Sequence, residues 1–467
     1  MSRPVYLAAD IRRIEQAAGD PTPPLMERAG AAAAEVALTL LAENRKDVLV
    51  LAGPGNNGGD ASIVARILAE KFLRVVTAVK PADIPADVRW GLVVDGLFGI
   101  GLARPVEGEH AKLVHYANAQ SCPVLALDIP SGIASDTGRV LGAAIRATHT
   151  ITFLALKPGL LTLDGPDHCG EVSVAELGLE PGKLVAPRGW VAEPSLFAHA
   201  LKSRPRNFHK GMAGSVAVFG GTEGMAGAAL LAGRAALKLG AGKVHLGMLS
   251  DMALDPVSPE LMLRHPDDAF GQDLDAIVIG PGLGDGERAG TLLHAVLASD
   301  IPCVLDADAL NMMSANVELR LACARRSAET MITPHPAEAA RLLGLKTADV
   351  QADRLGTAKN LAEEFNAHAL LKGAGSVIVA RDGHWFINTS GNPGMASAGM
   401  GDVLSGILGA LLAQKLSGES ALVLGAHLHG CAADECARSV AFGGPVGLTA
   451  GETISHARAT WNRWLRA

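Results

Sequence analysis

The sequence predicts an α/β protein of two domains, residues 1–200 and 201–467, each with a sheet covered by helices. Three observations point that way. At 467 residues the chain exceeds what one ordinary core supports. Short continuous apolar runs alternate with helix-like stretches in both halves, as in parallel sheets buried on both faces. Between about Gly178 and Arg206 the alternation breaks at Glu180-Pro181-Gly182-Lys183, Pro187-Arg188-Gly189 and Ser203-Arg204-Pro205-Arg206, which marks the domain boundary.

In chain order, Leu25 to Leu41 reads as an Ala-rich helix ending near Asn44. Strands are expected at Val48–Leu51, Val75–Val79, Leu92–Val94, Val124–Leu127 and Ile151–Leu154, with a helix from Asp60 to Leu68. A short helix around Leu196–Leu201 interrupts the boundary region. The second series of strands runs Ser215–Gly221, Lys243–Gly247, Ala276–Ile279, Pro302–Leu305, Met331–Thr333, Ala369–Leu371 and Val377–Val379. Its helices include Met225–Leu239, Pro336–Leu343, Thr357–Phe365 and Asp402–Gln414.

Composition excludes several classes. A formal charge of −7 with no basic run argues against a nucleic-acid partner. No stretch has the ~18 uninterrupted apolar residues of a membrane helix, and residues 1–10 lack an apolar signal core. The six cysteines are scattered in apolar settings, the pattern of free thiols in a reducing cytoplasm. Ala- and Gly-rich helices are compatible with a homo-oligomer.

In the first half, polar clusters follow three strands, at the sheet end where ligands bind in doubly wound folds. The first is Gly53-Pro54-Gly55-Asn56-Asn57-Gly58-Gly59-Asp60, between a strand and a helix. Its glycines allow positive φ and close approach of a ligand to backbone N–H groups at the helix start. It is neither G-x-G-x-x-G nor a P-loop. The others are Asp95-Gly96-Leu97-Phe98-Gly99-Ile100-Gly101-Leu102 and Asp128-Ile129-Pro130-Ser131-Gly132. Asn57, Asp95 and Ser131 can offer oxygens to a hard monovalent or divalent cation, and Asp128 a base or a ribose ligand.

These residues resemble the N-terminal domain of the bifunctional NAD(P)H-hydrate repair enzyme family, an NAD(P)HX epimerase with a Rossmann-like doubly wound sheet. The resemblance rests on Asn56-Asn57-Gly58-Gly59-Asp60 and Asp128-Ile129-Pro130-Ser131-Gly132. It implies potassium on Asn57, Asp95 and Ser131. It implies a substrate lined by Asn56 to Asp60 (Asn56, Asn57, Gly58, Gly59, Asp60), by Gly99, Ile100, Gly101, Leu102, Ala103, Arg104 and Pro105, and by Asp128. Ile100 departs from the Thr that family members often carry. Asp128 is expected to do the acid/base work, with Asp60 as its rival.

In the second half, Ala398-Gly399-Met400-Gly401-Asp402 opens an apolar helix, so a glycine anion hole faces a first-turn carboxylate. Leu371-Lys372-Gly373-Ala374-Gly375-Ser376, Gly280-Pro281-Gly282-Leu283-Gly284, Thr333-Pro334-His335-Pro336-Ala337-Glu338 and Leu305-Asp306-Ala307-Asp308 each follow a strand. This set resembles the ribokinase-like superfamily, in particular the ADP- or ATP-dependent NAD(P)H-hydrate dehydratase domain of the same repair family. The resemblance implies a ribokinase-like α/β sandwich, magnesium, and ADP or ATP as co-substrate. Asp402 would be the base. Ala228, Gly282, Gly284, His335 and Asp402 would hold the NADHX or NADPHX substrate, and Lys372, Gly373, Ala374, Gly375, Ser376 and Gly401 the nucleotide. The alternative reading is a ribokinase-like small-molecule kinase with a non-catalytic Rossmann-like domain. His427, His429, Cys431 and Cys436 look metal-like but lie in an apolar helical stretch without a C-x-x-C partner, so a packing role is expected.

Overall fold

The computed structural model describes residues 2–41, 47–439 and 443–466. The chain forms two units, Arg3–Trp190 and one running from Val191 onward. The division falls before residue 200 because the segment after Val191 joins the second unit. There Phe197 packs against His427 and Trp464, with ring centroids 5.8 Å apart in both pairs.

In the first unit, strands β1 (Asp47–Ala52), β2 (Val75–Ala78), β3 (Trp90–Gly96), β4 (Val124–Leu127), β5 (His149–Phe153) and β6 (Glu171–Ala175) form one sheet. Their order is β2-β1-β3-β4-β5-β6, and every pairing is parallel. Alternation along β1 divides the core. Val48 and Val50 face helices α2 (Leu25–Leu41) and α3 (Asn56–Glu70), whereas Leu49 and Leu51 face α4 (Gly108–Asn118). Alanine and glycine let α2 and α3 approach: a methyl group on Gly30 would lie 2.4 Å from the Ile63 side chain. The expected end of α2 near Asn44 lies outside the described residues. Strand β6 was not anticipated, because none of its residues is buried and they include Glu171 and Ser173, so it lacks the apolar run of the other strands.

The sheet reverses direction between β1 and β3, and such a switch point opens a crevice at the carboxyl ends of the strands. One expectation needs correction here. The Asn-Asn-Gly-Gly segment is not a loop ahead of the helix but its first turn, since α3 begins at Asn56. Nor do Gly53, Gly55, Gly58 and Gly59 adopt positive φ. Two of them serve close backbone packing. A methyl group on Gly53 would lie 1.8 Å from the Leu97 carbonyl oxygen, and one on Gly58 would lie 1.9 Å from that of Gly53.

In the second unit the strands are β7 (Ser215–Gly220), β8 (Lys243–Met248), β9 (Met262–Arg264), β10 (Ala276–Ile279), β11 (Cys303–Leu305), β12 (Thr330–Ile332), β13 (His368–Leu371), β14 (Ser376–Val379) and β15 (Trp385–Asn388). They follow one another as β15-β14-β13-β12-β11-β10-β7-β8-β9. Pairing is parallel from β9 to β13 and antiparallel for β14 and β15. The sheet is therefore mixed rather than wholly parallel. The segment joining β13 to β14 is too short for a crossover, which takes about a dozen residues.

Helices α5 (Ala226–Lys238), α6 (Asp308–Ala315), α7 (Pro336–Leu343) and α8 (Met400–Ala413) carry the candidate residues of this unit. Helix α8 is buried along nearly its whole length after Asp402, as its predominantly apolar sequence requires. Its glycines set how closely it packs: a methyl group on Gly406 would lie 2.0 Å from the Ala232 carbonyl oxygen of α5.

Candidate active sites

A cavity of about 1010 Å³ opens at the switch point of the first unit. Asn56, Asn57 and Asp60 of α3, Gly99 through Pro105 after β3, and Asp128 after β4 all line it. Gly58 and Gly59 lie on the same turn but face protein, the latter with Met26 Sδ 2.7 Å from where a methyl group would sit. A methyl group on Gly99 would lie 3.1 Å from Asp128 Oδ2 and 3.4 Å from Asn57 Cγ, so three sequence-distant clusters meet at that glycine.

Asp128 has φ of 66°, and Ile129 N–H donates to the Leu127 carbonyl at 2.8 Å across it, a strained three-residue turn. Leu154, after β5, repeats the arrangement with φ of 66° and lines the same cavity. The turn places the Asp128 carboxylate against Lys157, which is fully buried and whose ammonium donates to Asp128 Oδ1 at 2.5 Å. Thr152 Oγ1 and the Phe153 carbonyl, both at 2.8 Å, accept the other two protons of Lys157. Ile100 N–H donates to Asp128 Oδ2 at 3.3 Å, a backbone contact that needs no side-chain hydroxyl at position 100.

Asp60 stands on the cavity wall, and burial, reinforced by the charges of Asp128 and Glu15, raises its pKa to about 7. Below it, Asp95 is fully buried and desolvation raises its pKa to about 6. Ser131 binds it twice, through Oγ at 2.6 Å and N–H at 2.8 Å. The side-chain amide of Asn57 is buried with both its oxygen and its nitrogen lacking a hydrogen-bond partner. A buried amide in that state is costly unless something else satisfies it.

Sequence reasoning missed Lys157 and Glu15. Lys157 follows β5 in a run with no polar cluster. Glu15 belongs to α1 (Ala8–Ala18), whose Ile11 and Ile14 are buried and whose Glu15 reaches the cavity. The apolar 3–4 spacing in that helix was the available signal.

In the second unit, five adjacent strands deliver the expected segments to one edge. Gly399 adopts φ of 89° and caps α8, placing Gly401 and Asp402 in its first turn. Lys372 donates to Asp306 Oδ1 at 2.8 Å, lies 3.9 Å from Glu338 Oε2, and would be 3.2 Å from a methyl group on Gly401. Ser405 Oγ donates to Asp306 Oδ2 at 2.7 Å. Burial first, then the charge of Asp306, raises the Asp402 pKa to about 6. For Lys372, burial alone would lower the pKa, but Asp306, Glu338 and Asp402 outweigh it and the net direction is up.

The remaining expected residues fall as follows. Gly282 and Ala228 are neighbours, a methyl group on Gly282 lying 3.3 Å from Ala228 Cβ. Gly284 N–H donates to Asp308 Oδ2 at 2.9 Å. His335 caps α7, its Nδ1 accepting from Ala337 and Glu338 N–H at 3.1 and 3.4 Å, and burial lowers its pKa. The Gly373–Ser376 loop closes on itself, with Ser376 Oγ donating to the Gly373 carbonyl at 2.9 Å. Beneath it lies buried Arg354, which donates to the carbonyls of Leu371 and Lys372, both at 3.3 Å. Asp306, Ser405 and Arg354 had no assigned role in the sequence, although Asp306 stood at a recognised strand end.

His427 stacks on Trp464 at 5.8 Å and lies 3.4 Å from Cys431 Sγ, a packing arrangement. All six cysteines are free, four of them buried. Among the described residues no helix is long and apolar enough to cross a membrane.

Residues 216–453 match a family model described as NAD(P)H-hydrate dehydratase, and residues 23–92 and 85–159 match one described as YjeF-related protein N-terminus. The chain is 40% identical to the bifunctional NAD(P)H-hydrate repair enzyme Nnr of Escherichia coli (strain K12), over 92% of this chain and 89% of that protein. It is 36% identical to the enzyme of the same name from Coxiella burnetii, over 98% and 99%. Among solved structures it is similar to the ADP/ATP-dependent NAD(P)H-hydrate dehydratase of Bacillus subtilis, co-crystallised with ATP and Mg2+. That similarity has a TM-score of 0.52 and 28% identity, covering 59% of this chain and 98% of that one.

Proposed function

The chain belongs to the bifunctional NAD(P)H-hydrate repair enzymes, which join an NAD(P)HX epimerase to an ADP/ATP-dependent NAD(P)HX dehydratase, and on that premise we propose how its residues divide the chemistry. Epimerisation belongs to the switch-point cavity and dehydration to the edge around Asp402.

In the first site Asp128 and Asp60 act as a pair. Asp128, ion-paired to Lys157, is the base toward the C6 hydroxyl of the hydrate. As the C6–N bond opens to an aldehyde, Asp60, with its raised pKa, protonates the ring nitrogen; reclosure on the other face returns both protons and gives the other epimer. Lys157 is a positioning residue that holds the Asp128 carboxylate toward the cavity. Asn57, Asp95 and Ser131 would hold potassium, whose charge would offset that of buried Asp95. The unpartnered amide oxygen of Asn57 supports that donor set.

In the second site Asp402 removes the proton of the C6 hydroxyl of the S epimer, and that oxygen takes a phosphoryl group from ADP or ATP. Phosphate then leaves as the ring nitrogen's electrons form a C6 iminium, and loss of a proton from C5 gives the C5–C6 double bond of the dihydronicotinamide. The N–H groups at the start of α8 face the developing charge. Lys372 to Ser376 and Gly401 hold the nucleotide; Ala228, Gly282, Gly284 and His335 hold the hydrate. Asp306 and Glu338 converge on the Lys372 ammonium and have the chemistry to hold magnesium, which when bound offsets phosphate charge. The free buried thiols support a reducing cytoplasm as the setting.

The observation that carries this division is the meeting of Asn57, Gly99 and Asp128 at one cavity wall, in a different unit from Asp402. The test is to incubate mixed NADHX epimers with ADP or ATP and follow absorbance of reduced nicotinamide, corrected for spontaneous epimer exchange. Complete conversion is expected. Conversion of the S epimer alone removes the epimerase assignment, and a stable phosphorylated product without NADH favours the kinase alternative.

A further inference from the structure

We propose that the second unit carries a zinc site made by Asp382, His384 and Glu419, with His199 as the fourth ligand, at the opposite end of β13 from Lys372. It is separate from the reactions assigned above. Asp382, His384 and Glu419 each offer one ligand atom, and those atoms all lie within 4.8 Å of one another. Zinc bonds of about 2.0–2.2 Å in a tetrahedron set neighbouring donors about 3.3–3.6 Å apart, so small side-chain rotations bring the three to bonding distance.

Three segments distant in sequence bring these groups together. Ala369 pairs with Val379 and Leu371 with Val377, so the turn after β14 lies beside the start of β13. Asp382 and His384 stand on that turn, with Asp382 Oδ2 2.9 Å from His384 Nδ1. Glu419 belongs to the first turn of helix Gly418–Arg438. That helix start is held against the same strand end: a methyl group on Gly418 would lie 2.4 Å from Nε2 of His368, the first residue of β13. His199 comes from the turn Ala198–Ala200, and its Nε2 lies 3.4 Å from Oγ of Ser420, the neighbour of Glu419. Burial raises the Glu419 pKa, and the charges of Asp382, His384 and His199 all act on it, so the four groups surround one point.

The donor set selects the ion. Two carboxylates match the charge of a divalent cation, and imidazole nitrogens favour zinc over magnesium or calcium, which take oxygen ligands. A surface ion pair accounts for Asp382 and His384 but leaves Glu419 facing Asp382 with like charge, and a cation between them removes that repulsion. Bound there, zinc ties the β14–β15 hairpin to the start of helix Gly418–Arg438 and to the Ala198–Ala200 turn, and so stabilises the second unit.

The test titrates metal-stripped full-length protein with Zn2+ by calorimetry, in a large excess of Mg2+ that occupies oxygen-only sites. One equivalent is expected to bind with a Kd of about 1 µM or tighter, and to raise the thermal unfolding midpoint. His384→Ala and Glu419→Gln, at partly exposed positions, should each weaken zinc binding about tenfold or more and abolish the thermal shift. His199→Ala should weaken binding as well, and unchanged affinity there removes it as the fourth ligand. Co2+ in the parent should give the intense visible absorption of a tetrahedral centre, absent from the His384→Ala protein. Far-UV circular dichroism and NADH recovery stay unchanged in all three variants. No zinc binding tighter than about 100 µM in the parent, or unchanged affinity in either His384→Ala or Glu419→Gln, would overturn the site.

Discussion

On the proposed division, buried Asp60 and half-buried Asp402 are carboxyls asked to do opposite things, and pH separates them. Asp402 works ionised, and its pKa is raised to about 6, so dehydration should fall as pH drops through about 6. Asp60 works protonated, and its pKa is raised to about 7, so epimerisation should fall as pH climbs through about 7. Separate pH profiles of S-NADHX dehydration and epimer exchange check both limbs; parallel profiles would contradict the assignment. Replacing Asp402 with Asn should reduce NADH recovery about 10²-fold or more while epimer exchange continues. Lys157→Met leaves Asp128 without its cation in a buried setting and should destabilise the first unit by about 3 kcal/mol. Urea unfolding measures that loss, and adding Asp128→Asn should restore part of it; no recovery in the double variant would show that Lys157 acts through packing alone.

At the scale of elements, the start of α3 determines which residues face the cavity. Because the helix begins at Asn56, helical spacing puts Asn56, Asn57 and Asp60 toward the ligand and turns Gly58 and Gly59 into the protein. Gly58→Ala would drive a methyl group to 1.9 Å from the Gly53 carbonyl oxygen, and backbone must move to admit it. A loss of about 1–3 kcal/mol is expected, with epimerase activity falling and dehydratase activity unchanged. A variant as stable and active as the parent would show that the junction yields without cost. The element was visible in the sequence as strand, glycines and helix. The role of its glycines was not, because close packing and positive φ both select glycine and only coordinates separate them.

For the whole molecule, the proposed division implies that the epimer released at one site reaches the other through solution. Mixing an Asp128→Asn protein with an Asp402→Asn protein should therefore restore complete conversion of mixed epimers. Recovery limited to the S epimer would mean that the intermediate passes only within one chain. Strand positions, the ligand edge of each sheet and the carboxylates Asp60, Asp128 and Asp402 were legible from local patterns, since apolar runs and glycine-polar clusters are properties of neighbouring residues. Tertiary structure alone decided that Lys157 meets Asp128 and that Lys372, Asp306 and Ser405 meet beside Gly401. Those partners lie on different strands or helices, and no local pattern records which strand ends a sheet order will bring together.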